Sequence, residues 1–205
     1  MFSEPSTTLI LTPNNPCNTQ ISDSTGGKII YEVVTEHGKD TVTKVKRASD
    51  GQTVASWVWR DIRSDVVTFG NGQSISSSAW LKKSMVPFKD TVTFEDASQR
   101  TFKWKGNGPG LGLELYCESD KKQPIAKFLK PLPVLNEEGK ITEEWTPARL
   151  VLDERAEEIQ DLVVVSFLML EKGRRANENS TGNRAEVLGH PATAIGMSGT
   201  TFSTI

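Results

Sequence analysis

Residues 162–170 form an apolar run that is interrupted only by Ser166. The run follows a segment of strong helix formers that begins with acidic residues at Glu154, and it ends shortly before a glycine and two arginines. Acidic residues at the start of a helix and glycine with cations at its end are typical helix boundaries. The pattern predicts a helix over about 154–173, although the β-branched residues within 164–167 leave a buried strand as the alternative.

A helix that is apolar on every side has to be buried on every side. The rest of the chain reads as strands, and in a β protein of this length the interior of a barrel satisfies that requirement. We therefore expect a core built around this helix. The predicted core residues are Trp104, Leu162, Val164, Val165, Phe167 and Leu168.

About ten short segments show the alternation or the β-branched and aromatic content that is typical of strands, with turn signals between them. They are 8–11, 28–35, 41–47, 53–60, 65–69, 75–80 (the weakest), 90–94, 100–105, 111–117, 124–129 and 148–152. Asp50-Gly51 predicts a hairpin of residues 40–47 and 52–60. The expected fold class is mainly β, a closed antiparallel β-barrel of ten to twelve strands around a buried hydrophobic C-terminal helix.

The sequence predicts a single β-barrel domain over residues 7–175. Residues 1–6 are expected to be a flexible N-terminus. Three prolines within 131–147 indicate a long surface loop between the last two strands. From residue 176 the composition changes to small and polar residues without periodicity, so 176–205 is predicted to be a disordered tail.

Composition narrows the classes of partner. The chain has 24 Lys and Arg against 26 Asp and Glu, a formal net charge of −2, which argues against a general nucleic-acid binder. Only Cys17 and Cys117 are present, which favours two reduced thiols in a cytoplasmic protein over a single disulfide. The apolar run is shorter than the roughly 20 residues of a membrane span. We expect a soluble intracellular protein without a transmembrane segment and with unknown oligomeric state.

No catalytic or metal-binding arrangement can be assembled from the remaining signals. His37 and His190 are the only histidines, and two such positions with two cysteines do not predict a triad or a zinc site. The glycines of 106–112 lack the spacing of a phosphate-binding loop and predict a wide turn. Acidic residues at 154–161 fit the start of a helix better than a metal site. No cofactor and no metal are predicted, and catalytic residues are unknown.

Basic residues interleaved with tryptophans are the most suggestive set. Such a surface would suit an anionic lipid headgroup or an acidic protein partner. The candidate binding residues are Arg60, Arg63, Lys82, Lys83, Lys103 and Lys105, interleaved with Trp57, Trp59, Trp80 and Trp104. The alternative is that the tryptophans are core residues and the lysines are their solvent-facing neighbours, as strand alternation demands.

Three segments carry a resemblance to a known family. They are Phe102–Gly110 leading into a leucine-alternating strand, Arg149–Leu152 running into a Glu-rich helix start, and Asp161–Arg175. Over roughly residues 7–175 the chain resembles a fungal, mushroom-type family catalogued only as a domain of unknown function.

The layout also resembles the tubby C-terminal-like group, which includes LURP-one-related proteins and phospholipid scramblases. This resemblance implies a closed barrel of about twelve strands around a hydrophobic helix. Tubby proteins recognise phosphoinositides through basic side chains, whose positions have no residue-by-residue match here. The membrane-inserting segment and the cysteine clusters of scramblases are absent from this sequence.

The expected function is a non-enzymatic binding module that is intracellular, either cytoplasmic or peripheral to a membrane. It would engage anionic phospholipid or a protein partner through the basic and aromatic surface. One alternative is an enzyme acting on a small or lipidic molecule in a barrel-mouth pocket near Arg60 or His37. A second alternative is a structural or self-associating protein that makes contact through tryptophan-bearing edge strands.

Overall fold

A computed structural model describes residues 7–189 except 87, 88, 109 and 137, with side chains described as far as Glu178. Fifteen strands and three helices make up this part of the chain. The first seven strands are β1 (Thr7–Thr12), β2 (Thr19–Asp23), β3 (Ile29–His37), β4 (Thr41–Arg47), β5 (Thr53–Val58), β6 (Val66–Phe69) and β7 (Ile75–Ser76). The next eight are β8 (Lys82–Lys83), β9 (Val92–Glu95), β10 (Thr101–Lys105), β11 (Glu114–Cys117), β12 (Asp120–Leu129), β13 (Pro133–Leu135), β14 (Ile141–Trp145) and β15 (Ala148–Leu152). The helices are α1 (Ser77–Trp80), α2 (Glu154–Glu157) and α3 (Gln160–Gly189).

Thirteen of the strands form one antiparallel sheet. Its spatial order is β7-β6-β5-β4-β3-β2-β1-β15-β12-β11-β10-β9-β8. Two runs of consecutive strands, β1 to β7 and β8 to β12, are therefore joined side by side through β15, which pairs with both β1 and β12. The remaining strands, β13 and β14, form a separate two-stranded sheet.

The large sheet has to curl, because its two edge strands are close together in the chain. Laid flat, thirteen strands at about 4.8 Å spacing would hold their edges about 58 Å apart. The connection from Ser76 at the end of β7 to Lys82 at the start of β8 can reach at most about 21 Å. The sheet therefore wraps round until β7 and β8 face each other across a narrow gap, which α1 spans.

Helix α3 lies inside the curl. Every residue from Val163 to Leu170 is buried, so the helical interpretation of the apolar run is confirmed and the strand alternative is wrong. Inward-facing side chains of all the long strands join these residues in one core cluster. Of the predicted core residues, Trp104, Val164, Val165, Phe167 and Leu168 are fully buried, and Leu162 is partly buried.

The single polar residue of the apolar run has a partner in the sheet. The indole Nε1 of Trp104 on β10 donates to the Ser166 hydroxyl at 2.9 Å, and that hydroxyl donates to the Val163 carbonyl at 3.1 Å. Trp104 also packs against Phe167, whose ring lies 4.7 Å from that of Phe128. This hydrogen bond satisfies the buried indole N–H of Trp104 and links the helix to β10 at Ser166.

The expected closed barrel is wrong, because the sheet is open. No hydrogen-bonded ladder joins β7 to β8 among the described residues, although each of these two-residue strands pairs with its other neighbour, β6 or β9. Side-chain packing covers the gap instead. Trp80 of α1 lies 4.7 Å from the ring of Phe69 on β6 and 5.7 Å from that of Phe94 on β9. One tryptophan thus connects the two halves of the sheet where strand pairing does not.

Predictions about individual hairpins, loops and the helix are confirmed in some places and wrong in others. The hairpin over 40–47 and 52–60 is confirmed by the antiparallel pair β4–β5. The predicted surface loop 131–147 contains the hairpin β13–β14, and β2 lies in a segment without a predicted strand. The helix expected over 154–173 is divided into α2 and α3, and α3 continues into the predicted tail. Residues 1–6 and 190–205, where the rest of the terminal predictions fall, lie outside the described residues.

Candidate functional site

A cavity of about 470 Å³ opens at the gap between β7 and β8, and we call it the seam cavity. Four parts of the chain line it: the loop after β5, α1 with the end of β8, the glycine-rich turn after β10, and the end of the buried part of α3. The lining residues are Arg63, Ser64, Asp65, Ser77, Ser78, Leu81, Lys83, Asn107, Met169, Leu170, Gly173 and Asn177.

Two cations line the seam cavity without an opposing carboxylate. Arg63 and Lys83 have no ion-pair partner within the described ranges. The one acid in the lining, Asp65, is bound by the Lys172 ammonium at 2.7 Å and accepts from the Arg60 backbone N–H at 3.0 Å. The cavity therefore presents net positive charge.

The Asp65 contact also fixes the loop that carries Arg63. The Lys172 ammonium that binds Asp65 lies 3.9 Å from the centre of the Trp59 ring, a cation–π contact. Both ends of the loop between β5 and β6 are thus held on α3. The intervening residues Arg60 to Ser64 are exposed, and Ser64 donates to the Ser78 hydroxyl of α1 at 2.9 Å.

The opposite wall comes from the glycine-rich turn, where close backbone packing requires glycine. Gly106 has φ +77°, and a Cβ placed there would lie 2.0 Å from the Gly112 carbonyl oxygen. At Gly108 a Cβ would lie 2.6 Å from a carboxylate oxygen of Asp90. Between them, the side-chain oxygen of Asn107 is buried and has no hydrogen-bond partner in the described part of the chain. A hydroxyl or a water in the cavity would satisfy it.

A buried ion cluster supports the cavity from behind. The Glu171 carboxylate, 1% exposed, accepts from Arg174 at 2.6 and 2.8 Å and from Arg175 at 2.7 Å. The hydrogen bonds that Arg174 donates to Glu171 raise the pKa of Arg174. Arg175 also donates hydrogen bonds to the backbone carbonyl and the side-chain oxygen of Asn14, at 2.7 and 2.6 Å. This cluster ties the loop after β1 to the end of the buried part of α3.

Glu178 extends the same cluster to the glycine-rich turn. It accepts from the Gly110 backbone N–H at 2.9 Å and from Arg174. The Gly110 N–H is the main reason that the pKa of Glu178 is lowered. The residues that hold the cavity walls are therefore paired with one another, whereas Arg63 and Lys83 are left facing the cavity.

The other predicted cations lie on the outer face of the sheet with local partners. Lys82 pairs with Glu95 at 3.2 Å, and Lys103 pairs with Glu118 at 3.0 Å. Lys105 lies 3.5 Å from the centre of the Tyr116 ring. Of the six candidate binding residues, the structure thus brings Arg63 and Lys83 together. Arg60 shares with Arg63 a shallower depression of about 350 Å³ beside the seam cavity.

The tryptophans of the predicted basic and aromatic surface are mostly internal. Trp57, Trp80 and Trp104 are buried, and Trp59 is partly buried. Sequence reasoning missed Asp65, Asn107 and Lys172. The glycines on either side of Asn107 were the available signal, since they indicate close backbone approach. The Asp65–Lys172 pair joins residues 107 positions apart, so no local pattern reveals it.

The remaining reactive side chains lie apart from the lining. His37 is exposed at the end of β3, and His190 lies outside the described residues. Cys17 and Cys117 are free thiols, and burial raises the pKa of Cys17. In residues 7–189, gaps aside, no three His, Cys, Asp or Glu side chains are grouped to hold a metal ion. No helix in that same part of the chain is long and apolar enough to cross a membrane.

These observations define a mainly β protein in which an open, curled sheet surrounds an apolar helix and carries a cationic cavity at its seam. The chain belongs to DUF6593, a family of unknown function, whose model matches residues 14–176. No curated protein and no solved structure shows significant similarity to it. The expected membership of a family of unknown function is confirmed, while the fungal source and the kinship with tubby-like proteins stay predictions.

Proposed function

We propose that the protein is a non-enzymatic binding module that holds the phosphate group of an anionic phospholipid in the seam cavity. The observation that carries the proposal is the convergence of Arg63 and Lys83, both without an ion-pair partner among the described residues, on a cavity of about 470 Å³. A guanidinium binds phosphate oxygens in pairs, and an ammonium adds a point charge. The serine hydroxyls and Asn107 of the lining supply further polar contacts for a headgroup.

The charge distribution favours this cavity over the sheet surface. Lys82 and Lys103 on the outer face already have carboxylate partners, so binding an anion there would require breaking an existing pair. Anionic lipids are concentrated in the cytoplasmic leaflet, and the proposal therefore places the protein inside the cell, in agreement with its cysteine content. The kinship with tubby-like proteins is not needed for it.

Reversing the two cavity charges tests the proposal. In a sedimentation assay at low salt, the wild-type protein is expected to bind phosphatidylcholine vesicles that contain phosphatidylserine and not vesicles of phosphatidylcholine alone. Each cation near an anionic surface contributes about 1 kcal/mol. Arg63→Glu/Lys83→Glu is therefore expected to weaken binding by about 30-fold or more. Added salt should weaken the wild-type binding as well.

A matched control changes the same charge at the opposite end of α3. Lys28 and Lys122 are exposed and have no ion-pair partner in the described ranges. They lie near the start of the helix, where Tyr31 donates to Asp161 and Arg155 binds Asp120. Lys28→Glu/Lys122→Glu takes the net charge from −2 to −6, as the cavity variant does. Equal loss of binding in both variants would show general charge attraction and contradict a site in the seam cavity.

A second candidate function, self-association, is favoured by the hairpin β13–β14. Its cross-strand pairs Leu135–Ile141 and Pro133–Trp145 present apolar side chains, and Trp145 is 62% exposed. An isolated two-stranded hairpin is at best marginally stable in water. A second copy of the chain packed on this face would cover it. Such a contact would be tryptophan-bearing, as expected of a self-associating protein, although Trp145 lies in a segment that was predicted to be a loop.

Light scattering over a concentration series tests that candidate. The wild-type mass is expected to rise toward twice the monomer value with concentration, whereas Trp145→Ser should remain monomeric. Loss of a central tryptophan typically costs an interface at least about 2 kcal/mol, or about 30-fold in dissociation constant. Val34→Ser, at an exposed apolar position on the outer face of β3, is the control. A wild-type protein that is monomeric at every concentration would contradict self-association.

The enzyme alternative, which would act in a barrel-mouth pocket, stays a prediction that no observation here favours.

A further inference from the structure

The two most exposed large apolar side chains of the described residues lie on the two loops that border the seam cavity. Ile62 is 99% exposed and directly precedes Arg63. Met85 is 98% exposed and follows Lys83 by two residues, and its neighbour Val86 is 59% exposed. Neither loop buries these side chains against the protein, so water surrounds the apolar groups that stand nearest to the cavity cations.

We propose that Ile62, Met85 and Val86 form a membrane-docking face that enters the acyl boundary of an anionic bilayer while the seam cavity takes a headgroup. This inference rests on the proposed function, and it assigns the ligand to an intact bilayer rather than to a soluble phosphate. Apolar side chains flanked by cations are the pattern by which a protein lies on an anionic membrane surface.

Charge complementarity selects an anionic bilayer as the occupant of this face. The cations Arg60, Arg63, Lys83 and Lys89 flank the exposed apolar side chains and outnumber the neighbouring acids Asp61 and Asp90. The other exposed apolar set, on the hairpin β13–β14, has the opposite balance, because Glu138, Glu143 and Glu144 outnumber Lys140 there. An anionic surface repels those carboxylates, so the hairpin does not fit the same occupant. The loops at the seam do, because charge and apolar exposure coincide there.

The two loops of the docking face are attached to the rest of the protein next to the seam cavity. The loop with Ile62 is held at one end by Asp65 on Lys172 and at the other by Trp59 against the same ammonium. The loop with Met85 leaves β8, whose next residue, Ser84, donates its backbone N–H to Thr91 at 2.9 Å. Both loops that carry the exposed apolar side chains are therefore held at their bases by these contacts.

Neutral substitutions separate the apolar contribution from the charge. Ile62→Ser and Met85→Ser leave the net charge at −2 and keep Arg63 and Lys83. With vesicles of phosphatidylcholine and phosphatidylserine, each single variant is expected to bind about tenfold more weakly, and the double variant about a hundredfold more weakly. Val34→Ser is the matched control, since it removes an exposed apolar side chain from the outer face of β3, and it should bind as the wild type does.

A fluorescent reporter gives a readout that does not depend on affinity. The wild type, with its five tryptophans, gives the background emission; the emission that Ile62→Trp adds to this background should shift to the blue on vesicle addition and be quenched by brominated lipid tails. Tryptophan introduced at position 34, as Val34→Trp, should do neither. An unshifted emission from position 62 on vesicle-bound protein would overturn insertion.

The outcomes distinguish this inference from the function it rests on. If Ile62→Ser/Met85→Ser binds vesicles as the wild type does, insertion is overturned while headgroup binding stands. If the wild type binds inorganic phosphate through Arg63 and Lys83 but does not bind vesicles, the seam cavity is a site for a soluble phosphate, and both the phospholipid ligand of the proposed function and the docking face are overturned. If it binds neither, both proposals fail.

Discussion

Leu168→Asp is expected to leave the chain without a cooperative unfolding transition. Leu168 is completely buried and lies in the stretch of α3 that apolar side chains surround on every side. An unpaired carboxylate in such a place costs several kcal/mol, which is comparable with the total stability of about 5–15 kcal/mol of a typical domain. Circular dichroism during heating measures the effect, and Val164→Asp should behave in the same way.

Two further variants make this test specific to the buried part of the helix. Ala176→Asp introduces the same charge on the same helix at an exposed position, and it should leave the melting temperature nearly unchanged. Leu168→Ala removes packing without adding charge, and it should destabilise the fold by about 2–5 kcal/mol. If Leu168→Asp melts like the wild type, the burial of α3 is wrong.

The second large effect is expected at the buried carboxylate of Glu171. Glu171→Ala leaves Arg174, which is 5% exposed, without the carboxylate that accepts two of its hydrogen bonds, and it also removes the partner of Arg175. Removing one member of a buried ion pair typically costs about 3–5 kcal/mol, and because Glu178 still pairs with Arg174, the loss should lie toward the lower end of that range. Chemical denaturation should show this as a lower midpoint with an unchanged slope.

The comparison for Glu171 is an ion pair of similar length on the surface. Glu36 accepts from Lys44 at 2.7 Å on the outer face of the sheet, and solvent screens such pairs. Glu36→Ala should therefore leave the denaturation midpoint close to that of the wild type. Glu171→Gln retains an acceptor oxygen and should fall between the wild type and Glu171→Ala. Equal midpoints for Glu171→Ala and Glu36→Ala would contradict a stabilising role for the buried cluster.

Periodicity was sufficient to predict the elements whose side chains alternate. In β10, Phe102 and Trp104 face the core while Lys103 and Lys105 face outward, as their spacing in the sequence requires. The apolar run of α3 was equally informative, because no exposed structure tolerates it. The hairpin β13–β14 was missed because the prolines around it are typical of loops, although Pro133 lies at the start of an edge strand, where a missing N–H is tolerated.

Closure of the sheet could not be predicted from such local signals. A barrel and a curled open sheet have the same inward and outward alternation, and they differ only in whether the last two strands pair. That outcome depends on β7 and β8, which are short and rich in serine or lysine, and on how Trp80 packs between Phe69 and Phe94. For the same reason the cavity between those edges could be predicted only in part, through Arg63 and Lys83.

The position of β15 in the sheet has a consequence for biosynthesis. β15 is the strand that unites the two halves, and α3, which fills the interior, follows it in the chain. At about 5–20 residues per second, the ribosome spends roughly ten seconds or more making strands whose apolar faces have nothing to cover them. The core can therefore be completed only after β15 and α3 have been synthesised, so folding of the sheet has to wait for its last strand and for the helix that fills it.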